Sequence, residues 1–192
     1  MELVTTRRLD GHLRELAWTL YLESFDALRT QAVQRHVMHR DEFDAVMDDP
    51  RVHKLLVLDH RAAGGPALAG MGTVTDDLAA VPLISPDYFA QHWPRQYRAR
   101  SIWYVGFLAV APAYQGGGAA SHLVRGVTEN VSATGGLVAI DVCSHNETTV
   151  RLPTLLLRLG RTWAPGATLK RLDSQTYWAF DVPEPVEASS AA

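Results

Sequence analysis

Three consecutive glycines, Gly116, Gly117 and Gly118, stand between an apolar run closed by Pro112 and a segment whose residues Ala120, Leu123, Val124, Val127 and Val131 repeat at helical spacing. Glycine at a helix start lets a ligand approach the main chain. The N–H groups of the first helical turn have no intrahelical partner, so a negatively charged group is favoured there. The chemistry on offer is phosphate binding. Further on, Asp141 sits inside the apolar run LVAIDVC, residues 137–143, where burying an acid without a use is costly. It is a candidate proton acceptor, against the alternative that neighbouring main-chain groups satisfy it. His145, just past that run, titrates in the right range for proton transfer, although a lone histidine after a strand is more often a surface or hydrogen-bonded residue. Cys143 as a nucleophile needs an activating histidine, and strand alternation does not bring His145 beside it.

Spacing separates the phosphate loops. A nucleotide P-loop needs Gly-Lys-Ser/Thr at its end, whereas Gly118 is followed by Ala119 and Ala120, so no ATP or GTP site is supported. A dinucleotide fingerprint needs its first glycine directly off the strand, whereas residues 111–115 intervene. A glycine-rich turn without ligand is the remaining simple reading.

The elements that position these residues follow from periodicity. Residues 102–110, rich in aromatic and β-branched types, read as a buried strand, and 119–131 as the helix opening on the glycine loop. Asp10 or Gly11 caps a helix over 12–28, and Asp41 caps a second over 42–47 that Pro50 ends. Asp41, Glu42, Asp44, Asp48 and Asp49 form the densest negative cluster, either attracting a cationic ligand or, as is commoner, making a solvated helix face. Residues 52–59 and 67–74 read as a hairpin joined by the turn 61–66. In the irregular stretch 75–100, Ser85-Pro86 predicts a short helix over 86–92. Its Tyr88, Phe89, His92, Trp93 and Tyr97 either wall a pocket or pack the stretch down. Gly135 and Gly136 lead into the strand 137–143. Residues 147–159 read as helical, interrupted or restarted by Pro153, and 167–172 with 175–182 read as a last strand pair. With a strand ahead of the first helix and no internal repeat, the order predicts a single mixed α/β sheet with helices on both faces.

At 192 residues, 47% hydrophobic and 20% charged, the chain suits one domain over 1–182, with 183–192 a flexible tail. Net charge is −3, and no basic run is interleaved with aromatics, so no nucleic-acid partner is indicated. One cysteine excludes an internal disulfide framework and a cysteine-based zinc cluster, and no metal site is read. The N-terminus lacks a signal-type apolar core and no segment reaches the length of a membrane span. A cytoplasmic protein without a membrane partner is expected.

Gln115-x-x-Gly118-x-Ala120, after a strand ending Leu108-Ala109-Val110-x-Pro112, resembles the acyl-CoA signature of the GNAT superfamily of N-acetyltransferases. There, glutamine or arginine, two spacers, glycine, one spacer and glycine or alanine bind the pyrophosphate of coenzyme A. The resemblance covers strand, loop and helix together. It implies a single-domain α/β fold with a mixed, mostly antiparallel sheet. It also implies transfer of acetyl from acetyl-CoA directly to a primary amine, of a small molecule, in a ternary complex. On this resemblance Gln115, Gly116, Gly117, Gly118, Ala119, Ala120 and Ser121 hold the pyrophosphate. Main-chain groups of Leu108, Ala109 and Val110, freed by a bulge, hold the pantetheine arm, which Asn146 touches.

Asp141, five residues before Asn146, matches the glutamate base of the ribosomal-protein alanine acetyltransferases. Tyr104, eleven before Gln115, matches the catalytic glutamate of histone-type members; with an ordinary pKa near ~10 it is expected to orient substrate or water. The tyrosine with which many relatives protonate the departing thiolate is missing, since the two ways of counting put Pro153 or Leu156 there. His145 or solvent is left as proton donor. The usual Leu-Gly-Phe ending is altered to Leu159-Gly160-Arg161. A non-catalytic acyl-CoA-binding or regulatory module, and an acyltransferase using a longer acyl-CoA or a protein amine, are the alternatives. Edge strands near the C-terminus leave room for a homodimer.

Overall fold

In the computed structural model, which describes residues 1–82, 84–132 and 135–181, five strands lie side by side in chain order. The elements are β1 (Glu2–Thr6), α1 (Gly11–Phe25), α2 (Leu28–Gln31), α3 (Arg40–Asp48), β2 (His53–Asp59), β3 (Ala67–Thr75), α4 (Pro86–His92), α5 (Pro94–Arg98), β4 (Ile102–Val110), α6 (Ala119–Ser132), β5 (Leu137–Ile140), α7 (Ser144–Thr148) and α8 (Leu152–Gly160). Strands β1 to β4 pair antiparallel, and β5 pairs parallel to β4. A parallel pairing needs a crossover, and α6 supplies it.

Strand alternation divides the core between two faces. Leu56, Met71, Phe107 and Ala109 pack on Ala17, Leu20 and Tyr21 of α1 and on Phe43 and Met47 of α3. On the other face, Leu55, Val57, Ala69, Val74 and Val105 meet Ala119, Leu123 and Val127 of α6. The expected sheet with helices on both faces is therefore present.

Lys54 enters this core from β2. It is 0% exposed, and its ammonium donates to the carbonyls of Arg7 (2.9 Å), Asp49 (2.8 Å) and Val52 (2.9 Å). Burial draws its pKa down to about 8. One side chain thus ties together the segment after β1, the end of α3 and the start of β2.

Several boundaries differ from the sequence expectations. The helix expected over 12–28 ends at Phe25 and resumes as the one-turn α2. Helix α3 begins at Arg40 with His39, not Asp41, at its N-cap, because Glu42 reaches back to accept the His39 N–H at 2.7 Å. Four of the five acids of the cluster, Glu42, Asp44, Asp48 and Asp49, pair with arginines of the same chain. Arg14 pairs with Asp44 and Asp48, Arg40 with Glu15 and Asp44, Arg35 with Glu42, and Arg51 with Asp49. Arg35 holds the Glu42 carboxyl down to about 2. Most of the acidic cluster is thus a paired, partly exposed face, beside which Asp41 stands exposed.

The expected strand 137–143 stops at Ile140, and the helix expected over 147–159 is two helices, parted at Arg151, which has φ +54°. The last strand pair is absent among the described residues: 167–172 and 175–181 are irregular and enter no ladder. Alternation needs a face to bury, and here Trp178 is 82% and Phe180 90% exposed. The segment is held by side chains instead, through Arg171 with Glu147 and the Tyr88 hydroxyl donating to the Leu172 carbonyl at 3.4 Å. Residue 182 and the tail over 183–192 lie outside the described residues.

Candidate active site

The site begins with a parting in the sheet. Strand β5 pairs with β4 over four rungs, from Ile102 with Leu137 to Val105 with Ile140, while β4 runs on to Val110. Beyond Val105 only β3 remains beside it. In that ladder Val74 faces Val105 but Thr73 faces Phe107, so Gly106 is the extra residue of a bulge. A Cβ at Gly106 would lie 2.6 Å from the Thr73 hydroxyl oxygen, so this position accepts glycine alone without a shift.

The ladder also fixes which main-chain groups look into the gap. The Ala111 N–H donates to the Ala69 carbonyl at 3.0 Å. By antiparallel alternation Ala109 and Phe107 direct their amides to β3, while Leu108 and Val110 direct theirs to the side β5 has left. Of the three strand residues expected to present main-chain groups, Leu108 and Val110 do so. Ala109 does not, because its groups face Met71.

Beyond the strand, Pro112–Tyr114 form a single 3₁₀ turn, and the glycine loop follows. Gly116 (φ +75°) and Gly118 (φ +94°) occupy the left-handed region that favours glycine. The Gly117 N–H donates to the Tyr114 carbonyl at 3.1 Å, and the Gly118 carbonyl accepts the His122 N–H at 3.1 Å. Because that is the first turn of α6, the N–H groups of Ala119, Ala120 and Ser121 have no partner within the helix. Gln115 and the three glycines are exposed, and a Cβ at Gly116 would meet nothing within 4 Å. The loop is anchored by Tyr114, whose hydroxyl donates to Asp59 Oδ2 at 3.2 Å.

At the apex of the gap, Tyr104 and Asp141 come together: the Tyr104 hydroxyl donates to Asp141 Oδ1 at 2.8 Å. Tyr104 stands opposite Ala139, and Asp141 lies two residues further along the same face. Asp141 itself is exposed and one residue past the strand, which corrects the expectation of a buried acid. Tyr104 is the buried partner. Burial, together with the charge and hydrogen bond of Asp141, pushes its phenol well above the ordinary value, so it stays protonated.

His145 and Asn146, both half-buried, lie on α7, which starts at Ser144 with Cys143 at its N-cap. Pro153 and Leu156, the two positions that counting gave for the expected tyrosine, lie on α8. The aromatic stretch is mostly packing. Phe89 joins Leu78, Ile102, Tyr104 and Ala139, while Tyr88 stacks on His92 at 4.2 Å. Sequence reasoning did not single out Gly106 or the Tyr114–Asp59 anchor; a lone glycine inside an apolar strand was the available signal for the first. Among the described residues, no group of three or more His, Cys, Asp or Glu could hold a metal ion, and no helix is long and apolar enough to cross a membrane.

Several solved structures share this architecture. One is of a probable acetyltransferase (TM-score 0.54, 12% identity, covering 94% of this chain and 99% of that one). A second is a tetramutant of the BH1408 protein from Bacillus halodurans (TM-score 0.52, 12% identity, covering 93% and 100%). A third is the aminoglycoside acetyltransferase meta-AAC0020 from an uncultured soil metagenomic sample, in complex with trehalose (TM-score 0.50, 12% identity, covering 93% and 97%). At these identities the likeness is one of fold. No curated protein has a matching sequence. The sequence model of the acetyltransferase (GNAT) family matches residues 14–154, a stretch that holds the gap, the glycine loop and the Tyr104–Asp141 pair. The chain belongs to the acetyltransferase (GNAT) family.

Proposed function

We propose that the protein is an N-acetyltransferase that moves acetyl from acetyl-CoA directly to a primary amine of a small molecule within a ternary complex. The observation that carries this reading is the parting of β4 from β5 after Val105, with a phosphate-type loop beyond one end and a tyrosine-held carboxylate at the apex.

The residues present fit coenzyme A. The open loop at Gly116, Gly117 and Gly118, with the first-turn N–H groups of Ala119, Ala120 and Ser121, offers unpaired donors to a pyrophosphate, and the exposed Gln115 borders it. Leu108 and Val110 offer main-chain donors and acceptors to an amide-bearing arm, and Asn146 of α7 is the side chain we assign to touch it. The bound thioester would supply an acyl carbon open to attack by an amine. A main-chain N–H of Leu108 or Val110 would stabilise the developing oxyanion. Asp141, whose Oδ1 is held by Tyr104, takes the amine proton at Oδ2.

Thermal unfolding with acetyl-CoA and with free coenzyme A tests the cofactor site, since a ligand of the folded state raises the midpoint. No shift at saturation removes the assignment of residues 115–121. Thiol release with a panel of primary amines then tests the reaction. Asp141→Asn is expected to lower kcat by roughly 10²–10⁴-fold while the coenzyme A shift persists; undiminished turnover removes Asp141 as base. Pro153 and Leu156, which bear no transferable proton, favour a second reading, a non-catalytic acyl-CoA-binding module. Binding without turnover of any amine, peptide amines and longer acyl-CoA included, would establish that one.

A further inference from the structure

With neither Pro153 nor Leu156 able to donate a proton, the departing thiolate needs another source. Resting on the acetyl-transfer reading above, we infer that Tyr104 protonates the thiolate and that Asp141 recharges it. One proton thereby passes from the amine nitrogen to sulfur through the Tyr104–Asp141 hydrogen bond.

The geometry places that bond at the right point. Tyr104 stands one rung before the last pairing of β4 with β5, Val105 with Ile140, and Asp141 follows directly after Ile140. A hydroxyl 2.8 Å from Asp141 Oδ1 has therefore reached past the end of the paired ladder, to where the gap opens. Gly106, the next residue but one after Tyr104, is exposed and adds no side chain there. His145 lies on a separate element, α7, and no hydrogen bond joins it to the pair among the described residues.

The step balances without any further reagent. As the C–N bond forms, Asp141 takes one proton from nitrogen. As the C–S bond breaks, its electron pair goes to sulfur, and Tyr104 Oη gives that sulfur its proton. The phenolate then regains a proton from Asp141 across the hydrogen bond, which restores both side chains.

The pair also sets the order of events. While Asp141 is charged, burial and that charge keep the phenol protonated. Once Asp141 gains a proton the charge is gone, and the carboxyl turns from acceptor to donor, so the phenol can release its own proton. Among the described residues, Asp141 is the charged group that acts on this phenol.

The test combines kinetics with a readout on the unliganded protein. Tyr104→Phe should lower kcat with acetyl-CoA by on the order of 10²-fold, and imidazolium buffer added at constant pH should restore part of the loss, as it should not for the wild type. In ring-carbon NMR of the six labelled tyrosines, Asp141→Asn should bring the Tyr104 midpoint down, since the charge and hydrogen bond of Asp141 help to hold it up. The relay is overturned by a Tyr104→Phe kcat within about threefold of wild type. A loss that buffer acid leaves untouched, or a Tyr104 midpoint that Asp141→Asn does not move, overturns it equally. If Tyr104→Phe does not fold, the NMR titration of Asp141→Asn decides alone, since one tyrosine midpoint must move. Failure of the underlying reading looks different: the wild type then turns over no amine, with or without a gain in stability from coenzyme A, whereas a failed relay leaves wild-type turnover and that gain in place.

Discussion

Gly118 offers a way to separate charge from shape in the glycine loop. It has φ +94°, its carbonyl accepts the first hydrogen bond of α6, and a Cβ there would meet only the terminal methyl of Met1, at 3.9 Å. Space is therefore no obstacle to a side chain, and the strain of the left-handed backbone, on the order of 1–2 kcal/mol, is common to any replacement. Asp and Asn share size and tolerance of that region, so Gly118→Asp and Gly118→Asn differ essentially in one charge. A carboxylate about 5 Å from a bound pyrophosphate charge, at an effective dielectric near ~20, is repelled by roughly 3 kcal/mol, or about a hundredfold in Kd. At a coenzyme A concentration about a hundredfold above the wild-type Kd, the wild type gains about 2.7 kcal/mol of stability. With a Kd a hundredfold weaker, the Asp variant gains only about 0.4 kcal/mol. Denaturant unfolding with and without coenzyme A measures both gains, and the Asp–Asn difference should shrink as salt is added. If the two variants gain equally, no phosphate sits on this loop and the cofactor argument falls.

Gly106→Ala should destabilise the fold by about 1–3 kcal/mol through its contact with Thr73, and adding Thr73→Ala should recover part of that loss in a double-mutant cycle followed by thermal melting. Tyr114→Phe should weaken coenzyme A binding roughly fivefold with little effect on kcat, because it frees the loop from Asp59; calorimetry reads the affinity. Lys54→Met should cost on the order of 3–5 kcal/mol, leaving three carbonyls, that of Val52 buried, without their donor. Its pH signature is specific. The folded-state pKa of Lys54, about 8, lies below the usual 10.5, so the unfolded chain binds this proton more tightly. The wild type should therefore gain stability over the variant as pH rises from about 8 to 10.5, and denaturant titrations across that range check the sign.

The parts of the fold that sequence reasoning reached were those where local pattern and tertiary burial agree. The run IWYVGFLAV is β4 over Ile102–Val110, as its composition implies, and Ser85-Pro86 opens α4 with the Ser85 hydroxyl accepting the Tyr88 N–H at 3.3 Å. The C-terminal segment went the other way: TLKRL and QTYWAF carry strand-like composition, but no neighbouring edge among the described residues takes up their backbone, and composition alone does not reveal whether a strand will find a partner. The site divides similarly. The glycine loop is legible because its residues are contiguous. The meeting of Tyr104 with Asp141 depends on the register of a parallel pairing between residues 37 apart, which neither residue's neighbours encode. The bulge at Gly106 depends on the offset between β3 and β4, and that too is a property of two strands together.

The burial of Lys54 bears on how the protein withstands the reagent we propose it handles. An acyl thioester acylates exposed amines without any catalyst, and only two lysines stand in the chain, Lys54 and Lys170, among sixteen arginines. A guanidinium is a poor acyl acceptor because it stays protonated. Lys54, enclosed and bonded to three carbonyls, can react only when the segment around it opens. Lys170 is thus the lysine left in contact with solvent, its ammonium 5.6 Å from the centre of the Trp93 ring. Acylation of Lys54, read by mass spectrometry over time, becomes an internal clock of how often this protein breathes.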